Sequence, residues 1–151
     1  MKAVALCDMA LAHHVLGNVL QAKGELGKAK LSYLRAKDRA PDFIAPLVNA
    51  VLIELSEKRP KEAAALLDDI VRRKPDLALA RLLRGQAWLM AGDAAAAVVD
   101  LEAATTNAPR DAQAWMLLGQ ARQKTGELEA AKTAWCKAKE LGLAAAAAKC
   151  P

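Results

Sequence analysis

The sequence predicts an all-α protein built from four helical hairpins. Three features point that way: an Ala- and Leu-rich composition, prolines on a fixed grid, and glycines on the same period. Hydrophobic residues make up 54% of the 151 residues while aromatics make up only 3%, the remainder being mostly Ala, Leu and Val. Ala and Leu lose little side-chain freedom in a helix, so such stretches favour helices over strands. Pro41, Pro75 and Pro109 are spaced by 34 residues and are three of only six prolines. Gly17, Gly85 and Gly119 share that period, with Val51 in the vacant slot; Gly24, Gly92 and Gly126 share it too, with Lys58 in theirs. Ala29, Ala63, Ala97 and Ala131 occupy a further grid without a gap. A fixed period of this length marks a stack of supersecondary units.

A lead-in of residues 1–9 precedes repeats at 10–43, 44–77, 78–111 and 112–145, and residues 146–151 form a short tail. Each repeat reads as helix, tight turn, helix, tight turn. In the third, Leu79, Leu82, Leu83, Gln86 and Met90 recur at helical spacing, Gly92-Asp93 breaks the helix, and Ala94 to Thr106 forms the second. Asn107-Ala108-Pro109 ends that helix, because proline lacks an amide proton and restricts the residue before it. Asp111 suits the N-cap of the next helix, and Asp8, Asp42 and Asp76 are expected to play the same part elsewhere. In the second repeat Pro60 stands at the turn, where proline opens a helix without loss.

These residues resemble the tetratricopeptide repeat. That family has a 34-residue unit with a large residue at position 4, Leu-Gly at 7–8, an aromatic at 11, Ala at 20, an aromatic at 24, Ala at 27 and Pro at 32. The fourth repeat matches with Trp115, Leu118-Gly119, Gly126, Ala131, Trp135 and Ala138. The first matches with Leu16-Gly17, Gly24, Ala29, Tyr33, Ala36 and Pro41, and the third with Gly85, Trp88, Gly92, Ala97, Leu101, Ala104 and Pro109. The departures are Glu54 and Arg122 at position 11, Arg84 at position 7, and Leu143 in place of the last proline. Small residues at positions 8 and 20 let the helices of a hairpin approach closely. Tyr33, Leu67, Leu101 and Trp135 are expected to fill the space between hairpins.

The resemblance implies a right-handed superhelical α-solenoid whose first helices line a concave groove. The groove positions implied for this chain are Leu11, His14, Asn18 and Gln21; Val48, Leu52 and Leu55; Leu79, Leu82, Gln86, Leu89 and Met90; and Gln113, Met116, Gln120 and Gln123. The middle of this set is apolar and its ends are polar, which suits an apolar or amphipathic partner segment laid in the groove, with Gln and Asn bonding its backbone. A chaperone-tail carboxylate clamp does not fit: His14, Leu79 and Leu83 stand where that subclass of the family needs cations.

Little else suggests chemistry. His13 and His14 are adjacent, so on a helix they diverge and cannot share a metal; His13 falls at the packing position and His14 on the groove side. No nucleophile motif, phosphate loop or Cys/His cluster is present, so neither catalysis nor a metal or other cofactor is expected. The net charge of +5 lies mostly in the first and last repeats, with Lys and Arg interleaved with Asp and Glu, and no basic stripe with aromatics points to nucleic acid. Cys7, Cys136 and Cys150 lack any C-x-x-C spacing and read as reduced thiols. No stretch reaches the roughly 18 apolar residues of a membrane span, and Leu6 before Cys7 spoils the faint likeness of the first residues to a lipoprotein signal. The compartment therefore stays open: cytoplasmic by default, or periplasmic if a leader has been removed. The ends look short of capping, with Leu128 and Trp135 expected to be incompletely covered. The sequence thus suggests a non-enzymatic adaptor or scaffold for a protein or peptide, in the style of bacterial multiprotein assemblies. The alternatives are a self-associating array segment joined through its ends, or an accessory domain of a longer chain.

Overall fold

The computed structural model describes residues 2–150, with side chains from Asp8 onward. Eight α-helices follow in order: α1 (Lys2–Ala22), α2 (Leu26–Arg39), α3 (Ile44–Ser56), α4 (Pro60–Arg73), α5 (Ala78–Ala91), α6 (Ala94–Asn107), α7 (Ala112–Lys124) and α8 (Leu128–Glu140), then a 3-10 helix (Ala144–Lys149). The described residues contain no strand. Two compact units divide the chain at Leu66 and Leu67, inside α4. The fold is an all-α repeat of helix-turn-helix hairpins.

In the first unit, α1 packs on α2, and Ala29, Tyr33, Ala50 and Ile53 form a core flanked by Leu20, Leu26, Leu34 and Leu66. In the second, α5 packs on α6 and α7 on α8. One core there joins Ala97, Leu101, Leu117, Leu118, Ala121 and Ala134; another joins Met116, Ala131, Trp135, Ala138 and Ala146. The position-24 residues Tyr33, Leu67, Leu101 and Trp135 are all buried, as expected. In three hairpins the facing glycine is why they fit. A Cβ on Gly17 would lie 2.4 Å from the Tyr33 ring, one on Gly85 2.6 Å from Leu101, and one on Gly119 2.3 Å from Trp135.

The turns repeat a left-handed residue at Gly24, Gly92 and Gly126, with φ of 78°, 87° and 87°. Lys58 takes that place in the second repeat at φ 57°, where a Cβ crowds the following carbonyl. Pro60 then opens α4.

Helix capping follows the sequence only in part. Asp111 accepts from the amides of Gln113 and Ala114 at 2.9 and 3.2 Å, and Asp93 caps α6 through Ala96. Asp42 and Asp76 are not the caps, because Phe43 and Leu77 hold those places with no side-chain bond. The reason is register: the cap falls two residues after the proline, where only the third repeat has an acid. Asp8 lies inside α1.

The reduced-thiol expectation is overturned. Cys136 and Cys150 form a disulfide with Cα atoms 4.9 Å apart, tying the 3-10 helix to α8. Paired cysteines 14 residues apart need no C-x-x-C motif, because the turn at Gly142 reverses the chain. The same segment covers Trp135: Ala146 and Leu143 pack on it, and the Lys149 ammonium sits 4.3 Å from its ring centroid. Trp135 is therefore buried, whereas Leu128 stays exposed as expected. Cys7 lies outside the residues whose side chains are described.

Two outcomes test these local arguments. Lys58→Gly is expected to raise stability by about 0.5–1 kcal/mol in urea denaturation, since relief of the left-handed strain exceeds the entropy that glycine adds to the unfolded chain. Reducing Cys136–Cys150 releases a constraint that loop-closure entropy puts at about 3 kcal/mol. Amide exchange across Ala144–Lys149 should then accelerate while α5 keeps its protection.

Candidate functional site

The groove residues inferred from the sequence lie on the first helix of each hairpin, and the two units present them separately. In the first unit, α1 exposes Leu11, Asn18 and Gln21, and α3 exposes Leu52 while half-burying Val48. Leu55, at the end of α3, is buried and so is not offered to a partner. Asn18, Gln21, Ala22 and Asn49 line an open pocket of about 530 Å³. The Tyr33 hydroxyl reaches Asn18 Oδ1 at 2.9 Å and Gln21 Oε1 at 2.7 Å, and Asn49 Nδ2 donates to Asn18 at 3.4 Å. A hydroxyl donates a single proton, so one of those two carboxamides must turn its NH2 toward it. Burial pushes the Tyr33 phenol above the usual tyrosine range, and a hydrogen bond from Asn49 opposes the shift. The result is a neutral cluster of amides whose remaining donors and acceptors face solvent.

The two histidines change places relative to expectation. His14 is not a free groove bonder: its ring packs edge-on to Phe43 at 5.1 Å and against Tyr33 at 5.7 Å, and its Nδ1 is buried without a hydrogen-bond partner. His13, expected in the core, lines a second open pocket with Arg35, Asp38 and Arg39.

In the second unit, α5 exposes Leu79 and Met90 and half-buries Gln86. Leu82 and Leu89 lean on the core around Leu101 and Leu118. On α7, Gln113 and Gln123 are exposed and Gln120 is half-buried. Met116 is buried with Ala131 and Trp135, so it belongs to the core and not to a binding surface.

The departures from the repeat pattern are compensated by ion pairs that sequence reasoning missed. Arg84 replaces an apolar residue at position 7, and its guanidinium grips the buried Asp100 at 2.7 and 2.8 Å while also reaching Asp68 at 3.0 Å. Arg81 adds a bond to Asp100 at 2.8 Å. These partners hold the Arg84 guanidinium above its ordinary pKa, the bond to Asp100 leading. Glu54 at position 11 is buried and pairs with Lys30 at 2.7 Å and Arg59 at 2.8 Å; Arg122, also at position 11, pairs with Glu102 at 2.7 Å. The available signal was an acid 16 residues beyond an arginine that stands where the pattern wants an apolar side chain. Among the described residues, no group of three or more His, Cys, Asp or Glu could hold a metal, and no helix is long and apolar enough to cross a membrane.

Short hairpins closed by small residues, with amides and leucines presented on their first helices, define a helical-repeat protein of the interaction-module class. The family profile for the tetratricopeptide repeat matches residues 48–104 and 96–142, and a second profile of that description matches 10–43. The chain belongs to the tetratricopeptide repeat family. No curated protein matches it in sequence. Among solved structures it resembles a MamA RS-1 double mutant at 23% identity and TM-score 0.80, over 89% of this chain and 76% of that one. A MamA fragment from Desulfovibrio magneticus RS-1 is 19% identical, with TM-score 0.75 over 87% and 75% of the two chains. YrrB, described as a TPR protein with an unusual peptide-binding site, is 22% identical, with TM-score 0.73 over 88% and 69%. At such identities the likeness is one of fold.

Proposed function

We propose that this chain is a non-enzymatic scaffold that binds an apolar or amphipathic segment of a partner protein along the first helices of its repeats, within a bacterial multiprotein assembly. The observation that carries this is side-chain exposure beside ready amides. Leu52, Leu79 and Met90 remain 46%, 43% and 47% exposed, in units that also carry Asn18, Gln21 and Asn49 in one case and the glutamines of α5 and α7 in the other. Fully burying such a side chain is worth about 1.5–3 kcal/mol, and covering the part still exposed about half of that, so several such contacts together drive docking while amides satisfy the backbone of the bound segment. The peptide-binding site named for YrrB is in keeping with this reading.

Self-association is the second reading. Val15, Leu16 and Val19 on α1 and Leu31 on α2 are exposed large apolar residues in the first hairpin, a face that a second copy could cover. A mass that rises with concentration would favour it.

Partner capture separates the two. Leu52→Glu with Leu79→Glu, both exposed and so neutral to folding by circular dichroism, should weaken capture of the partner at least ~10-fold, the equivalent of about 1.4 kcal/mol. Capture unchanged in the folded double variant removes the groove from the account.

A further inference from the structure

Two open pockets occupy the same place in two different hairpins, and their charges differ. In the first repeat the pocket of about 430 Å³ is lined by His13 at position 4, Arg35 at position 26, Asp38 at position 29 and Arg39 at position 30. In the fourth repeat the pocket of about 510 Å³ is lined by Trp115 at position 4, Lys137 at position 26 and Glu140 at position 29, among others. Both notches lie between position 4 of the first helix and positions 26–29 of the second, although Trp115 is in the first turn of α7 while His13 is midway along α1.

The fourth-repeat notch neutralises itself, since Lys137 bonds Glu140 at 3.0 Å and the position-4 indole donates to the Pro109 carbonyl at 2.9 Å. The first-repeat notch does not. Its acid, Asp38, turns to Lys37 at 3.2 Å, and among the described residues Arg35, Arg39 and His13 have no hydrogen-bond or ion-pair partner. Six of the seven other arginines, Arg59, Arg72, Arg73, Arg81, Arg84 and Arg122, bond carboxylates, and among the described residues only Arg110 shares the lack of a partner. Arg35 and Arg39 lie one turn apart on the same face of α2, so both guanidinium forks can converge on one ligand. His13 adds a ring N–H in either protonation state.

We propose that this notch binds a phosphate monoester carried on a side chain of a partner polypeptide. Two unpaired guanidiniums balance a dianion, whereas a carboxylate would leave one fork unused. The lining contains no apolar side chain for a lipid bilayer to take up. Asp38 is a poor neighbour for a bare anion, but its carboxylate can accept from the backbone N–H of a phosphorylated residue. The site is separate from the amide cluster of Asn18, Gln21 and Asn49, so it would add a modification-dependent contact to the groove interaction.

The test is a ¹⁵N-resolved NMR titration of the full chain at constant ionic strength with O-phospho-L-serine, inorganic phosphate and acetate in parallel. The expected result is that phosphoserine shifts the amides of His13 and of residues 35–39, binds more tightly than phosphate, and far exceeds acetate. Arg35→Gln with Arg39→Gln, both exposed positions, should weaken phosphoserine at least ~10-fold, the loss of one charge-assisted contact or more. Lys137→Gln in the fourth-repeat notch should change nothing. Equal responses to acetate, shifts spread over both notches, or indifference to the arginine variants would overturn the proposal. So would binding to phosphatidate vesicles without any response to phosphoserine, which would assign the notch to a lipid surface.

Discussion

The interaction on which everything else rests is the approach of a glycine on the first helix of a hairpin to a bulky side chain on the second. Gly17 against Tyr33, Gly85 against Leu101 and Gly119 against Trp135 leave no room for a methyl group. The bulky residue sits over the glycine and fixes both the distance and the rotation of the paired helices. Rotation matters for function because it decides which side chains of the first helix turn outward. With that phase fixed, Asn18 and Gln21 remain open to solvent while Ala10 and Gly17 of the same helix are buried. Tyr33 takes part at both levels: its ring closes the hairpin and its hydroxyl organises the amide cluster.

Much of the fold was legible because periodic punctuation is read locally. The glycines at the left-handed turns and the prolines after the second helices act through backbone geometry, which needs no partner to interpret. Lys58 and Pro60 show the limit of that reading, since one residue bears the strain of the turn while the other opens the helix. Capping was legible at Asp111 and not at Asp42 or Asp76, because there the cap position falls one residue later, on Phe43 and Leu77.

The site was less legible, since exposure depends on which neighbour covers a residue. Leu55 and Met116 follow the same spacing as Leu52 and Leu79, yet Leu55 is buried and Met116 joins the core around Trp135. His13 and His14 differ by one step of the helix, and that step puts one ring between Phe43 and Tyr33 and the other in a charged notch. The buried carboxylates belong to the same class of problem. Asp100 and Glu54 make sense only with Arg81, Arg84, Lys30 and Arg59 beside them, since an unpaired buried charge costs several kcal/mol and would exclude the arrangement. The cysteines show it again, as Cys136 and Cys150 meet only because the chain turns at Gly142 and runs back along α8.

Chemical denaturation of two glycine variants tests the central claim most directly, because the same substitution should have opposite signs. Gly27, in α2, has nothing within 4 Å of a built Cβ, so Gly27→Ala should gain about 0.5–1 kcal/mol from helix propensity. Gly85→Ala places its methyl against Leu101 and should lose about 1–3 kcal/mol from overpacking. A neutral or stabilising Gly85→Ala would mean that helix spacing is set elsewhere, and the account of how the hairpins present their outward faces would fail.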